Sequence, residues 1–186
     1  MSNFIGVYNL KYSKIVKDDE TGVEYEEIKT IPGLTKISVE PSSNEATFYG
    51  DNQAMETVKR LGEIKVAIET GSLPLPVLAD LMGHKYDEEN GRMICRASDV
   101  APEVGLMYTR NKANGDLRHV KVFKMVFGLN KDEASTNGDS VEFQGDSIEA
   151  TALPLAYNGE WKDMIEPNEN NAELVKKFLE NMIITE

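Results

Sequence analysis

Arg118-His119-Val120-Lys121-Val122-Phe123-Lys124-Met125-Val126-Phe127, with Val104-Gly105-Leu106-Met107-Tyr108-Thr109-Arg110 before it, decides the fold. Both runs are dense in β-branched and aromatic residues, and Asn114-Gly115 between them is the dipeptide favoured in a tight hairpin turn with positive φ. They predict a central antiparallel hairpin. Along its second strand a period of two puts Val120, Val122 and Val126 on one face and Phe123, Met125 and Phe127 on the other. With both faces apolar, this strand is either sandwiched inside the subunit or completed by a neighbour. Val120, Val122, Phe123, Met125 and Phe127 are therefore candidate inter-subunit residues.

Working outward, Ile64, Val66 and Ile68 share one face of a strand ending at Glu69, while Glu63, Lys65 and Glu69 take the other, which predicts a sheet with one wet side. Phe4 to Tyr12 and Glu24 to Ile31 have strand composition, and Val16–Val23 between them reads as the polar tip of a long hairpin. Ile31-Pro32-Gly33 is a turn signal, followed by an alternating strand over Leu34–Glu40 that Pro41-Ser42-Ser43-Asn44 ends, and by a further strand over Ala46–Tyr49. Pro74 and Pro76 are tolerated in a helical first turn, so a helix is expected after Leu73-Pro74, with Leu75, Leu78, Ala79 and Met82 on one side and Gly83 at its end. Strands are also expected around Ile94, at Val141–Phe143 and at Ser147–Leu153, with a long polar loop over Gly128–Asp139. From Met164 the composition turns to Glu, Asn and Pro, and a helical stripe returns through Leu174, Val175, Phe178 and Met182. The expected fold is mainly β, an antiparallel β-sandwich or open barrel with one covering α-helix and a C-terminal helix. Residues 1–161 form the single β domain of this reading, and 162–186 a C-terminal appendage.

Composition narrows the function. In 186 residues, 40% of them apolar, there is material for one core. Thirty-two acidic residues against 20 basic ones leave a net charge of −12, which argues against specific nucleic-acid binding, because counterion release needs clustered Lys and Arg. No apolar run approaches the length that crosses a bilayer, so no membrane partner is expected. Cys95 alone offers neither a disulfide nor a cysteine zinc site, and with only His84 and His119 a nucleophilic Cys/His pair stays on paper. Asp18-Asp19-Glu20 with Gly22 lacks the ligand spacing of a calcium loop. Phosphate-binding glycine loops, H-E-x-x-H and G-x-S-x-G are absent from the sequence, so neither enzyme nor cofactor is expected.

The succession of pieces between Phe48 and Trp161 resembles the major tail protein family of long-tailed, non-contractile bacteriophages. The resemblance is carried by the order and spacing of Gly50-Asp51-Asn52, Gly83-His84-Lys85-Tyr86-Asp87, Asp99-Val100-Ala101-Pro102, and Gly138-Asp139-Ser140 with Glu142-Phe143. It implies a tail-tube β fold and a structural virion protein, assembled in the bacterial host cytoplasm. Such subunits form hexameric rings, which stack into the tube that delivers the genome. The implied partners are further copies of the chain and the tail tip, terminator and tape-measure proteins of the same phage. DNA passes through such a tube without specific binding, which suits an acidic bore, and Glu63, Glu69, Glu142 and Glu149 are the candidates to line it. The alternative reading is a carbohydrate- or receptor-binding β-sandwich module of a virion or prophage, which calls for exposed aromatics such as Trp161.

Overall fold

The computed structural model of the chain describes residues 2–50, 53–129 and 145–183, and only the backbone of 46–50 and 53–56. Asp51 and Asn52, Gly138-Asp139-Ser140, and the strand expected at Val141–Phe143 with Glu142 lie outside the described residues, as does most of the loop expected before them. In chain order the elements are β1 (Phe4–Asp19), β2 (Gly22–Tyr25), β3 (Lys29–Thr30), β4 (Leu34–Gly50), β5 (Gln53–Thr70), α1 (Leu75–Met82), β6 (Lys85–Asp87), β7 (Arg92–Ile94), β8 (Glu103–Lys112), β9 (Leu117–Phe127), β10 (Asp146–Ala152), β11 (Lys162–Ile165) and α2 (Ala172–Glu180). Among the described residues one antiparallel sheet of nine strands runs β2-β1-β8-β9-β10-β5-β4, with β3 added on β1 and β11 on β9, while β6 and β7 pair apart.

The sheet curls because its two ends are consecutive in the chain. β3 pairs with β1 through Lys11↔Thr30 and Tyr12↔Lys29, and only Ile31-Pro32-Gly33 separates it from β4, which pairs with β5 at the far end of the order. Pro32 has no amide to leave unpaired, and Gly33 takes a φ of 76°, which a side chain would resist. Ile31 N donates to Leu10 O at 2.9 Å, and Gly71 N donates to Gly33 O at 2.8 Å, so the corner is tied to both flanks. Leu10 and Tyr12 of β1 consequently share one core with Ile64, Val66 and Ile68 of β5, Val104 and Leu106 of β8, and Ile148 of β10. The result is an open barrel.

α1 covers this core. Gly83 at its end has φ 71°, and a Cβ there would collide with Val100 O, so glycine is required. The buried face is Ala79, Leu81 and Met82, whereas Leu75, expected in the stripe, is exposed on the first turn. Asp80 ties the helix to the sheet by accepting from Tyr12 Oη and Lys29 Nζ, each at 2.7 Å, and by pairing with Lys14.

Two further expectations are corrected by the sheet. β4 runs unbroken through Pro41-Ser42-Ser43-Asn44, with a register shift between Pro41 and Ser43, because an edge strand tolerates a residue that cannot donate. β9 does not keep a single alternation. Val120, Val122, Met125 and Phe127 all belong to the core, while Val126 is only half-buried. The register with β8 shifts between Val104↔Met125 and Leu106↔Val122, which sets Phe123 and Lys124 against Gly105 alone, a β-bulge that swaps inward and outward residues. Tyr25 Oη donates to Phe123 O at 2.9 Å, Phe123 N donates to Trp161 O at 3.0 Å, and Leu153 N donates to Lys124 O at 2.9 Å, so the bulged backbone keeps its partners. Gly105 is the residue that lets the bulge in: a Cβ there would lie 2.9 Å from Phe123 O and 2.5 Å from Met182 Cε.

Candidate functional site

The five candidate inter-subunit residues, Val120, Val122, Phe123, Met125 and Phe127, are all buried within the chain itself. Of the two possibilities for an all-apolar strand, β9 realises the first, and the expectation that these side chains meet a neighbour is corrected accordingly. The barrel core takes one face, and the C-terminal segment takes the other. β11 pairs with β9 from Lys162↔Val122 to Ile165↔His119, and α2 lays the buried Phe178 beside Lys121. Lys121 is fully buried, its Nζ 3.8 Å from the Phe178 ring centroid and donating to Asn181 O at 2.6 Å. An ammonium at the carboxyl end of a helix is favourable, yet burial weighs more and lowers its pKa to about 8, with Asp163 acting against that shift. No sequence pattern announced this residue, since a Lys between valines reads as the wet side of a strand.

The acidic candidates lie elsewhere. Glu63 and Glu69 of β5 and Glu149 of β10 point away from the core on one outer face, in register with Lys36 and Glu40 of β4. Lys36 pairs with Glu69 at 2.8 Å, and Lys65 stands 3.9 Å from Glu63. Ser38 Oγ donates to Glu40 at 2.6 Å, and neither Glu40 nor Glu149 forms an ion pair among the described residues. Four carboxylates against two ammonium groups leave this shallow, concave face acidic. Glu142, the fourth candidate, lies outside the described residues.

Beyond this face, β4 and β5 continue as an arm. β10 accompanies β5 only from Ile64 to Thr70, whereas the β4–β5 ladder carries on from Ser43↔Leu61 to Gly50↔Gln53. Across those residues the two strands pair only with each other among the described residues, and Val58 and Leu61 are exposed on them.

A cationic cluster closes one end of the barrel. Arg110 and Arg118 oppose each other on β8 and β9, and Lys112 lies opposite Phe4 of β1. The Phe4 ring has the Arg110 guanidinium 3.9 Å from its centroid, that of Arg118 4.8 Å away and Lys112 Nζ 5.8 Å away. Glu166 accepts from Lys112 Nζ at 2.9 Å and Arg118 Nε at 2.7 Å, and their hydrogen bonds hold its carboxyl below the usual range. Lys162 is pushed below the usual lysine range by burial and then by Arg110 and Arg118. The signal for this cluster is the spacing of Arg110, Lys112 and Arg118 about Asn114-Gly115, which places basic residues on one face of a hairpin.

The remaining polar centres are structural. His84 Nδ1 lies 2.8 Å from Asp99 Oδ2, which also accepts from Arg96 N at 2.8 Å, and these bonds brace the chain after β7. His119 shares a 2.9 Å hydrogen bond with Thr109 Oγ1, and burial lowers its pKa, so it stays neutral. Cys95 is exposed, and among the described residues no three metal-binding side chains converge. Trp161 is partly buried and packs against the core. Among the described residues no helix is long and apolar enough to cross a membrane. No family model matches the chain, and no curated protein matches it either.

Proposed function

We propose that this chain is a structural virion protein, the self-assembling subunit of a phage tail tube, built from hexameric rings that stack and conduct the genome. The observation that carries the reading is the β4–β5 arm. Two strands that reach far past their own sheet, with exposed Val58 and Leu61, leave main-chain and apolar groups for another copy to cover. The acidic outer face of β5 and β10 supports it. Carboxylates such as Glu63, Glu69 and Glu149 repel phosphate, so DNA next to this face finds no binding minimum. In this reading the chain is not an enzyme, and its other partners are the tail tip, terminator and tape-measure proteins. The alternative, a carbohydrate-binding module, draws less support, because Trp161 packs on the core instead of standing free for a sugar.

Negative-stain microscopy and sedimentation of concentrated protein test the reading. Rings or tubes are expected, with subunits chiefly monomeric when dilute, because association must offset lost translational and rotational freedom. A strictly monomeric species at the highest attainable concentration overturns it.

A further inference from the structure

The two ends of β1 carry opposite charge. At its start Phe4 sits among Arg110, Lys112 and Arg118, Lys162 lies within electrostatic reach of the two arginines, and Glu166 is the one carboxylate in ion-pair contact with the cluster among the described residues. Arg110 and Lys162 have no carboxylate partner among the described residues, and each has other cations beside it. Four cations against the single paired carboxylate Glu166 are costly to gather within one chain and unexpected in one of net charge −12. It lies at the end of the barrel interior, because Arg110 and Arg118 follow Tyr108 and Val120 on the inward side of the β8–β9 ladder. Of the carboxylates on the neighbouring segments, Asp116 in the turn and Asp163 on β11 form no ion pair among the described residues.

At its other end β1 runs past Lys14↔Val104, its last pair with β8, and forms with β2 a hairpin that lies against β9, where Tyr25 Oη meets Phe123 O. The tip of that hairpin carries Asp19, Glu20 and Glu24 against a single Lys17. Asp18 is withdrawn from it, buried and ion-paired with Lys124 at 2.6 Å, and it also accepts from Ala156 N and Tyr157 N. Those bonds fasten the hairpin next to its turn, so Asp19 and Glu20 are presented from a fixed position. The cationic cluster and the acidic tip thus belong to opposite ends of the 16-residue β1.

We infer that the Arg110–Arg118 cluster around Phe4 is a docking site for the Asp19-Glu20 hairpin tip of a second copy of this chain, joining copies head to tail. In a head-to-tail arrangement the contact is heterologous: the tip of one copy meets the cationic mouth of the next, and the contact propagates along one axis. It rests on the tube reading and assigns the residues that set the direction of stacking. Charge complementarity of this kind governs register and encounter more than total affinity, and it weakens with salt.

Reciprocal charge reversal tests it. Arg110→Glu alone, and Asp19→Lys with Glu20→Lys alone, are each expected to raise the concentration needed for assembly about tenfold or more, judged by sedimentation and negative stain. Mixed in equal amounts they are expected to assemble again as an alternating stack, since each lysine tip then meets a glutamate mouth and each native tip a native mouth. Lys162→Glu serves as a second mouth variant, and a melting temperature near that of the unmodified protein shows that it folds. Unmodified protein is expected to need more concentrated conditions at about 0.5 M salt than at low salt. If unmodified protein assembles and the variants assemble equally well, or if the mixture is not restored, the docking site is overturned while the tube reading stands. If unmodified protein never assembles, both fall. Binding of a short DNA duplex that Arg110→Glu removes, with assembly unchanged, assigns the cluster to nucleic acid and overturns the inference as well.

Discussion

β9 and the outer part of the β4–β5 hairpin are both long antiparallel strands, yet the first is held on every side and the second on one. β9 has β8 along one edge, β11 and then β10 along the other, the barrel core against one face and the C-terminal segment against the opposite face. The hairpin beyond Leu61 has only its own two strands to pair among the described residues. Apolar composition does not tell these situations apart: Val122 is in the core and Val58 is exposed, though both are valines on strands. The difference separates the part of the molecule that supplies its stability from the part that supplies its free surface.

The largest expected effect breaks or keeps that contrast directly. Phe127→Ala on β9 should cost about 3–5 kcal/mol in urea denaturation, through lost burial and a residual cavity. A cost below about 1 kcal/mol would mean that β9 is not the centre of the core.

Lys121 sharpens the comparison on the C-terminal side. Its folded pKa of about 8 lies below the unfolded value of 10.5, so between these the unfolded chain binds more protons and stability rises with pH. Relative to Lys121→Met, the unmodified protein should gain about 2 kcal/mol from pH 8 to pH 10, measured by denaturation at a series of pH values. The window closes near pH 10. Burial, with Asp80 beside Tyr12 and Asp18 beside Tyr25, raises both phenols well above the usual range, so their contribution is lost at higher pH. Parallel pH profiles for the two proteins would contradict a buried ammonium beneath α2.

A smaller effect is expected at the bulge. Gly105→Ala should destabilise by about 1–3 kcal/mol, because Phe123 O and Met182 must move to admit the methyl group. Loss of the Met182 contact first, seen as faster amide exchange in α2 than in β8, locates the strain. Unchanged stability would show that the bulge adjusts freely.

The smallest effect on stability belongs to the arm. Leu61→Ser should change unfolding free energy by less than about 0.5 kcal/mol, since the side chain is already exposed, while weakening assembly at a given concentration. A large loss of stability would place the arm in the subunit's own core and remove the contrast with β9.

Much of this arrangement was legible in the chain. Asn114-Gly115 marks the β8–β9 turn, the Ile64-Val66-Ile68 alternation marks the inward face of β5, and Pro74 and Gly83 bracket α1, because turns, alternation and caps are local properties. The acidic candidates Glu63, Glu69 and Glu149 were read onto the polar side of their strands for the same reason, and they share one outer face. The face assignments along β9 failed at Val126, Met125 and Phe127. A bulge shifts the alternation by one, and it depends on Gly105 in the partner strand, 18 residues from Phe123.

Composition, period and turn chemistry thus determined by themselves a mainly antiparallel β chain with an apolar centre, a capped helix and a surplus of negative charge. These follow from each residue and its near neighbours. Only the tertiary structure decided that β9 is covered on both faces from within, that Lys121 lies beneath Phe178, and that Arg110, Lys112 and Arg118 gather around Phe4. The contacts of Phe178 with Lys121 and of Phe4 with the cationic cluster join segments about 60 to 110 residues apart, brought together by the pairing of β11 with β9 and of β1 with β8. Burial and electrostatic coupling act through space, and a local pattern carries no record of which distant strand arrives beside it.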